Sequence, residues 1–273
     1  MSGVLYVVAT PIGNLEDLTF RAVRILKEVD RIACEDTRQT RKLLDHYGIS
    51  TPMVSYHEHN EQSRSDELIL ELAAGRNIAM VSDAGTPLIA DPGYRVVQKA
   101  RAQGIAVVPI PGASALLTAL SASGLPTGSF AFLGFLPPKS GQRKKALEEA
   151  RELGTTVVFY ETPHRIVEAL DDIAEGFGSA PVVLGRELTK MHEEFLQGTA
   201  ADLAAKLRAR PAVKGEFTVI VGKAEAVLDE SLTVEQEVAA LIGKGVERMD
   251  ALKQVARRRG LSKRDVYKQA GLA

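Results

Sequence analysis

Cys34 is the only cysteine in the 273-residue chain, which excludes an intrachain disulfide and a zinc site built from cysteines alone. No apolar run is long enough to span a bilayer, and no basic stretch precedes the N-terminal apolar segment, so the cytosol is the expected compartment. Neither sign of charge is in excess. With 34 Lys and Arg against 35 Asp and Glu, any attraction to nucleic acid must come from local patches. The patterns G-x-G-x-x-G and G-x-x-x-x-G-K-[ST] are also missing, which argues against a usual dinucleotide or nucleoside-triphosphate site. What is present is ordinary for a folded protein: 45% hydrophobic and 25% charged residues, in a chain long enough for two domains.

The first informative stretch is Ala9-Thr10-Pro11-Ile12-Gly13-Asn14-Leu15, which follows the apolar run Val4-Leu5-Tyr6-Val7-Val8. The run reads as a buried strand, and Asp17 and Thr19 then open a helical pattern at Phe20. A strand that ends in a Pro/Gly loop before a helix is where an open α/β sheet places a ligand. Without phosphate-cradling glycines, this loop suits a nucleoside that carries no phosphate.

Strand and helix patterns alternate over the first part of the chain, with strands at 4–8, 31–34, 53–56, 78–81 and 105–110 and helices near 20–29, 38–47, 61–74 and 92–103. Thr37 reads as the cap of the second helix, and Asp91-Pro92 as N-cap and first helical residue of the fourth. Gly48, Gly75 and Gly104 stand where a left-handed helix end is wanted. Alternation of this kind predicts a mostly parallel sheet covered by helices. After Pro109-Ile110-Pro111-Gly112 a small-residue helix at 113–122 opens a second region, with strands at 130–136, 155–160, 182–186, 194–197 and 217–221 and helices near 142–153, 163–175 and 200–210. Between Leu188 and Phe195 there is no room for a crossover helix, so one antiparallel pair and a mixed sheet are expected. From about 228 the chain becomes helical and basic, with a helix, Gly260, Ser262 and a second helix in helix-turn-helix outline. The expected domains are therefore an α/β domain at 1–111, a second α/β domain at 112–224 and a small helical domain at 228–273.

Three small-residue loops should meet at one sheet edge: Thr10-Pro11, Asp83-Ala84-Gly85-Thr86-Pro87 and Pro111-Gly112-Ala113-Ser114-Ala115. Each alone is an ordinary turn closing a βα unit; together they favour a ligand site. Candidates for moving a proton are Asp36, His57, His59, Glu187 and Lys190. Asp36 has a simpler role open to it, a salt bridge with Arg38 or Arg41, and the His57-Glu58-His59-Asn60 segment can merely cap a helix. One carboxylate beside two histidines is too weak a pattern for a metal, and none is expected. Two basic runs stand out in a neutral chain. Lys139, Arg143, Lys144 and Lys145 lie beside Gly141 in an exposed-looking loop, and the tail holds Arg257, Arg258, Arg259, Lys263 and Arg264. Such runs are usually solvated faces; two of them here favour contact with RNA phosphates.

Six segments together resemble the tetrapyrrole methylase family: Thr10-Pro11-Ile12-Gly13-Asn14-Leu15, Cys34-Glu35-Asp36-Thr37-Arg38, Ser82-Asp83-Ala84-Gly85-Thr86-Pro87-Leu88, Pro111-Gly112-Ala113-Ser114, Gly134-Phe135-Leu136-Pro137 and Arg186-Glu187-Leu188-Thr189-Lys190. Within it they resemble the branch acting on bacterial 16S ribosomal RNA. The likeness runs from residue 4 to about 222, and the helical tail has a counterpart in that branch. It implies two α/β domains with S-adenosyl-L-methionine in the cleft between them, a homodimer, and 2′-O-methylation of a cytidine ribose in the decoding centre of the 30S subunit. The cofactor contacts it implies are Pro11, Gly85, Thr86, Pro87, Ser114 and Ala115, joined by Tyr160, Arg186 and Glu216 from the second domain. The chain departs from corrin-type members at Thr10-Pro11-Ile12-Gly13, where they have a Gly-rich turn, and at Gly85-Thr86-Pro87, where they have Gly-Asp-Pro. Those departures weaken the alternative of a corrin or porphyrinogen C-methyltransferase. A third reading, a ligand-sensing DNA-binding regulator, rests on the helix-turn-helix and leaves the cleft chemistry unexplained.

Overall fold

Short apolar runs without alternation form the strands of the first sheet. They are β1 (Val4–Val8), β2 (Arg31–Cys34), β3 (Met53–Ser55), β4 (Ile78–Val81) and β5 (Ala106–Ile110). All run parallel, in the order β3-β2-β4-β1-β5. Every residue of β4 is buried, because helices cover both faces and neither can be polar. On one face pack α1 (Phe20–Glu28) and α2 (Thr37–His46); on the other pack α3 (Glu61–Ala73) and α4 (Tyr94–Ala102). Thr19 caps α1 by accepting from Ala22 N, a contribution of about 1 kcal/mol. Burial of Ile25 and Leu26 at about 1.5–3 kcal/mol each is the larger effect, so α1 is held mainly by its apolar stripe.

This computed structural model describes residues 2–224, 232–243 and 245–271, apart from the side chains of Arg257 and Arg258. Residues 1–224 form one compact unit and residues 225–273 another, so both sheets lie within a single unit. The expected start of the helical domain at 228 lies outside the described residues.

The second sheet contains β6 (Phe130–Phe135), β7 (Thr156–Glu161), β8 (Pro181–Arg186), β9 (Glu194–Thr199) and β10 (Phe217–Val221), in the order β6-β7-β10-β8-β9. It is mixed, and more antiparallel than the sequence implied. Besides the β8·β9 pair, β10 runs antiparallel to both β7 and β8, leaving β6·β7 as its one parallel pair. One face is covered by α6 (Ser140–Glu152), α7 (Ile166–Phe177) and α8 (Ala200–Arg208). The other face carries α5 (Ala115–Ala122), whose Ala119 and Leu120 pack with Val158, Val183, Leu188 and Ile220. Ile12, from the loop after β1, joins that cluster and so ties the first sheet to the second.

Two expected caps are replaced. Asp36, not Thr37, is the N-cap of α2, accepting from Arg38 N. The fourth helix starts at Tyr94 rather than at Pro92, and Asp91 does not cap it. Instead Glu61 of α3 accepts from Gly93 N at 3.2 Å and Arg95 N at 3.3 Å, a cap supplied across the fold.

The basic run at 139–145 also corrects. Lys139 is the N-cap residue of α6, and Arg143, Lys144 and Lys145 lie on that helix rather than in a loop. Arg143 is 1% exposed and faces inward, its Nε donating to Asp172 Oδ2 at 2.6 Å and its guanidinium to Pro138 O at 3.2 Å. Arg143 therefore pins α6 to α7 and is withdrawn from any RNA surface.

In the helical unit, α9 (Val234–Gly243), α10 (Arg248–Arg259) and α11 (Lys263–Gln269) enclose Val238, Leu252, Val255 and Val266. Gly260 is left-handed (φ 62°) between α10 and α11, and Ser262 caps α11 by accepting from Asp265 N. Arg259 is also turned inward, donating to Glu237 Oε2 at 2.6 Å, so it is not free for phosphate. Lys263 and Arg264 are exposed. The phosphate contacts expected of Arg257 and Arg258 lie outside the described residues.

Candidate functional site

Because β4, β1 and β5 are adjacent and parallel, the loops that follow them leave the sheet side by side. They are stitched together by backbone. Thr10 N donates to Gly85 O at 2.8 Å and Gly85 N to Thr10 O at 3.0 Å. Thr86 Oγ1 donates to Ala113 O at 3.2 Å. Gly112 lies so close to Ala9 that a Cβ would stand 3.0 Å from the alanine methyl. Gly85 has φ 79°, a conformation most side chains resist. Pro11 and Pro87 are buried within this edge, while Thr86, Ser114 and Ala115 are half-buried along it. Ser114 caps α5 by accepting from Leu117 N.

The second sheet faces this edge. Gly13 packs against the loop after β8 so tightly that a Cβ would overlap Lys190 Cγ. Tyr160, at the end of β7, accepts from Leu116 N at 3.2 Å, meeting the first turn of α5. Gly134, left-handed at φ 63°, brings β6 within van der Waals reach of Ala90. The four non-glycine residues with positive φ among those described are Leu88, Ala90, Glu187 and Thr189. All four fall on the two loops that face each other here. Strained backbone of this kind costs about 1–3 kcal/mol per residue and clusters at ligand-binding loops. The facing loops present backbone groups, with Ile12, Leu88 and Tyr160 half-buried among them.

The proton-moving candidates are not equivalent. Asp36 receives Arg38 N and Arg38 Nη2, each at 2.8 Å, and the Arg38 hydrogen bonds pull its carboxyl down to about 2. It is a cap and ion-pair partner, a poor base. Glu187 Oε1 accepts from Lys190 Nζ at 2.8 Å and from Glu216 N at 3.1 Å, and the lysine holds its carboxyl below the usual range. Burial pulls Lys190 down, but its bonds to Glu187 and Glu216 outweigh that and keep it charged. Arg186 is engaged too, donating from Nε to Lys214 O at 2.6 Å and from Nη1 to Glu194 Oε2 at 3.4 Å. His57 N donates to Asn60 Oδ1 within a tight turn, and His59 is exposed with its ring 5.9 Å from that of His57.

Sequence reasoning missed Asp91. The sequence reads it as a cap, yet it lies half-buried in the strained loop after β4, with no ion pair among the described residues and only the Ser82 hydroxyl as a hydrogen-bond partner. Burial first, then Glu35 and Asp83, push its carboxyl up to about 7, against a weaker opposing pull from Ser82. Glu35 is raised as well, by burial and by Asp83. Nothing local marks this residue: its environment is assembled from β2, β4 and the second sheet.

The model of the Tetrapyrrole (Corrin/Porphyrin) Methylases family matches residues 4–204. The chain is 54% identical over 271 residues to Ribosomal RNA small subunit methyltransferase I of Halalkalibacterium halodurans, covering 97% of this chain and 93% of that one. It is 46% identical over 272 residues to the protein of the same name from Bacillus subtilis, again with 97% and 93% covered. Among solved structures, uroporphyrin-III-C-methyltransferase from Thermus thermophilus superposes with a TM-score of 0.55 at 20% identity, covering 90% of this chain and 99% of that one. A diphthine synthase gives 0.61 at 15% identity, covering 81% and 90%. At those identities the structures speak for the fold alone, while the family model and the full-length relatives speak for descent. Two facing α/β sheets with their loops joined at one edge are thus the architecture of the tetrapyrrole (corrin/porphyrin) methylase family, to which this chain belongs, alongside the ribosomal RNA small subunit methyltransferase I proteins.

Proposed function

We propose that this protein transfers the sulfonium methyl of S-adenosyl-L-methionine to a ribose 2′-hydroxyl of a cytidine in the decoding centre of bacterial 16S ribosomal RNA. The observation that carries the reading is near-full-length identity of 54% and 46% to proteins named for small-subunit ribosomal RNA methylation. A solved Thermus thermophilus neighbour of the same fold is complexed with S-adenyl homocysteine, the demethylated form of that cofactor. Pro11, Gly85, Thr86, Pro87, Ser114 and Ala115 hold the cofactor from the first sheet's edge, and Tyr160 closes over it from the second. Arg186 and Glu216 keep the facing loop in place through Glu194, Lys214 and Lys190.

The cofactor supplies an activated methyl group, so most of the catalytic gain comes from positioning the hydroxyl in line. A C–O bond forms at the ribose oxygen, the S–CH3 bond breaks with its pair passing to sulfur, and the hydroxyl proton leaves. Asp91 takes that proton, since it makes no ion pair among the described residues and its raised proton affinity suits neutral pH. Lys190 stays charged and faces the polyanion as a fixed cation. Lys139, Lys145, Lys263 and Arg264 contact phosphates, whereas Lys144 is held by Glu175 and lies 3.8 Å from Asp172. The protein works in the cytoplasm as a homodimer, in which exposed apolar side chains such as Phe20, Leu117 and Met191 have somewhere to go.

The test uses 30S subunits from cells lacking the protein, purified enzyme and cofactor labelled on the methyl group. One labelled 2′-O-methylcytidine in 16S RNA is expected on nuclease mapping. Label on a base, at another nucleotide, or on no RNA at all overturns the proposal.

A further inference from the structure

The helical unit exposes apolar surface beside unpaired positive charge. Met249 and Tyr267 are 46% and 41% exposed, and with Leu252, Lys263 and Arg264 they line an open cavity of about 220 Å³. Leu252 is buried and belongs to the core, while Tyr267 and Met249 are exposed at the cavity. Neither Lys263 nor Arg264 makes an ion pair among the described residues, whereas Lys253 is paired with Asp250 and Arg259 with Glu237. The Tyr267 hydroxyl makes no hydrogen bond among them either. Over residues 248–268 the sequence has eight Lys and Arg against Asp250 and Asp265.

We propose that this cavity takes one unpaired RNA base, stacked on Tyr267, with the phosphates on either side of it held by Lys263 and Arg264. The inference rests on the reading of ribosomal RNA as substrate and adds a second, non-catalytic contact to it. Simple phosphate binding needs the cations but leaves the exposed aromatic without a purpose. A stacked duplex offers no free base face, so the cavity is matched to single-stranded or looped RNA. An apolar peptide would fill the cavity but would leave two rim cations without counter-charge, whereas a nucleotide brings both the flat apolar face and the anions. The Met249 thioether adds a polarizable group to the same lining.

The experiment measures binding of the full-length protein to an unstructured RNA of about 12 nucleotides, and to the same strand in a duplex, over a salt series. Tyr267→Ala is expected to weaken single-strand binding by about 5- to 100-fold with an unchanged salt slope, and to leave duplex binding as it was. Tyr267→Phe keeps the ring and should bind within about two-fold of wild type. Lys263→Ala with Arg264→Ala should flatten the salt slope by about 1–2 for both RNAs. Thermal melts of each variant confirm the fold. If wild type binds and Tyr267→Ala binds equally well, this inference fails while the methyltransferase reading stands. Equal losses on strand and duplex also overturn it, as does loss of binding to intact 30S subunits alone, which would assign the cavity to a ribosomal protein. Binding of wild type to neither RNA overturns the RNA-contact reading and this inference together.

Discussion

Asp36 and Asp91 show how one sheet edge drives two carboxyls in opposite directions. Asp36, after β2, is stabilised as a carboxylate by the Arg38 fork and reads about 2; Asp91, after β4, is desolvated beside Glu35 and Asp83 and reads about 7. The lowered one is explained by its cap and ion pair, whereas a raised carboxyl in a loop between two facing sheets is a candidate for chemistry. A raised carboxyl favours the folded state while neutral, so Asp91's contribution is complete below its unfolded value near 4 and is lost as pH rises through about 7. Asp91→Asn should therefore leave the melting temperature unchanged at pH 4 and raise it at pH 8. The gain should be about 1–2 kcal/mol, after discounting for the solvent that still reaches the group. The same variant should transfer methyl about 10²-fold or more slowly and lose the fall in rate below pH 7, with cofactor affinity kept. Equal stability of both proteins at pH 8 would show that the carboxyl is not desolvated; an unchanged rate profile would remove it from the chemistry.

At the scale of elements, α6 shows what a charge run conceals. The run at 143–145 reads as a basic patch, yet Arg143, Leu147 and Ala150 fall on one helical face and all three are buried. The i, i+4, i+7 spacing was in the sequence; only the presence of Asp172 on α7 makes an arginine acceptable there. Arg143→Ala should destabilise the protein by about 2–4 kcal/mol, because the buried Asp172 loses its closest cation and keeps only Ser140 and the more distant Lys144. Replacing both residues with apolar ones, Arg143→Met with Asp172→Leu, should come close to wild type in a denaturant melt. The double variant should also bind RNA with the wild-type salt slope; a flatter slope would return Arg143 to the RNA surface. In α4 the lesson is similar. Its cap was sought in the adjacent Asp91, but Glu61 supplies it from a helix more than thirty positions earlier.

For the whole molecule, residues 1–224 form one compact unit and residues 225–273 another. Removing residues 228–273 should weaken binding to 30S subunits and flatten its salt dependence, since fewer phosphates are neutralised. Cofactor affinity should stay within a few-fold, because every proposed cofactor contact lies in the first unit. An unchanged salt slope in the folded truncation, or a collapse of cofactor binding, would give the helical unit a different role.

Local pattern by itself determined the ten strands to within one residue at each end, apart from β9, which runs two residues further, along with the parallel first sheet, the mixed second sheet and the helix–Gly–Ser–helix order of the tail. Those features follow from burial periodicity and from turn residues whose preferences act over a few positions. Tertiary structure decided the rest: that β10 inserts between β7 and β8, that Gly13 must be bare to meet Lys190, and that four non-glycine residues take left-handed backbone in facing loops. It also decided which charges are spent internally, as with Arg143, Arg259, Asp36 and Glu187, and which make no ion pair among the described residues, as with Asp91, Lys263 and Arg264. Charge pairing and desolvation depend on neighbours distant in the chain, and no window of sequence contains them.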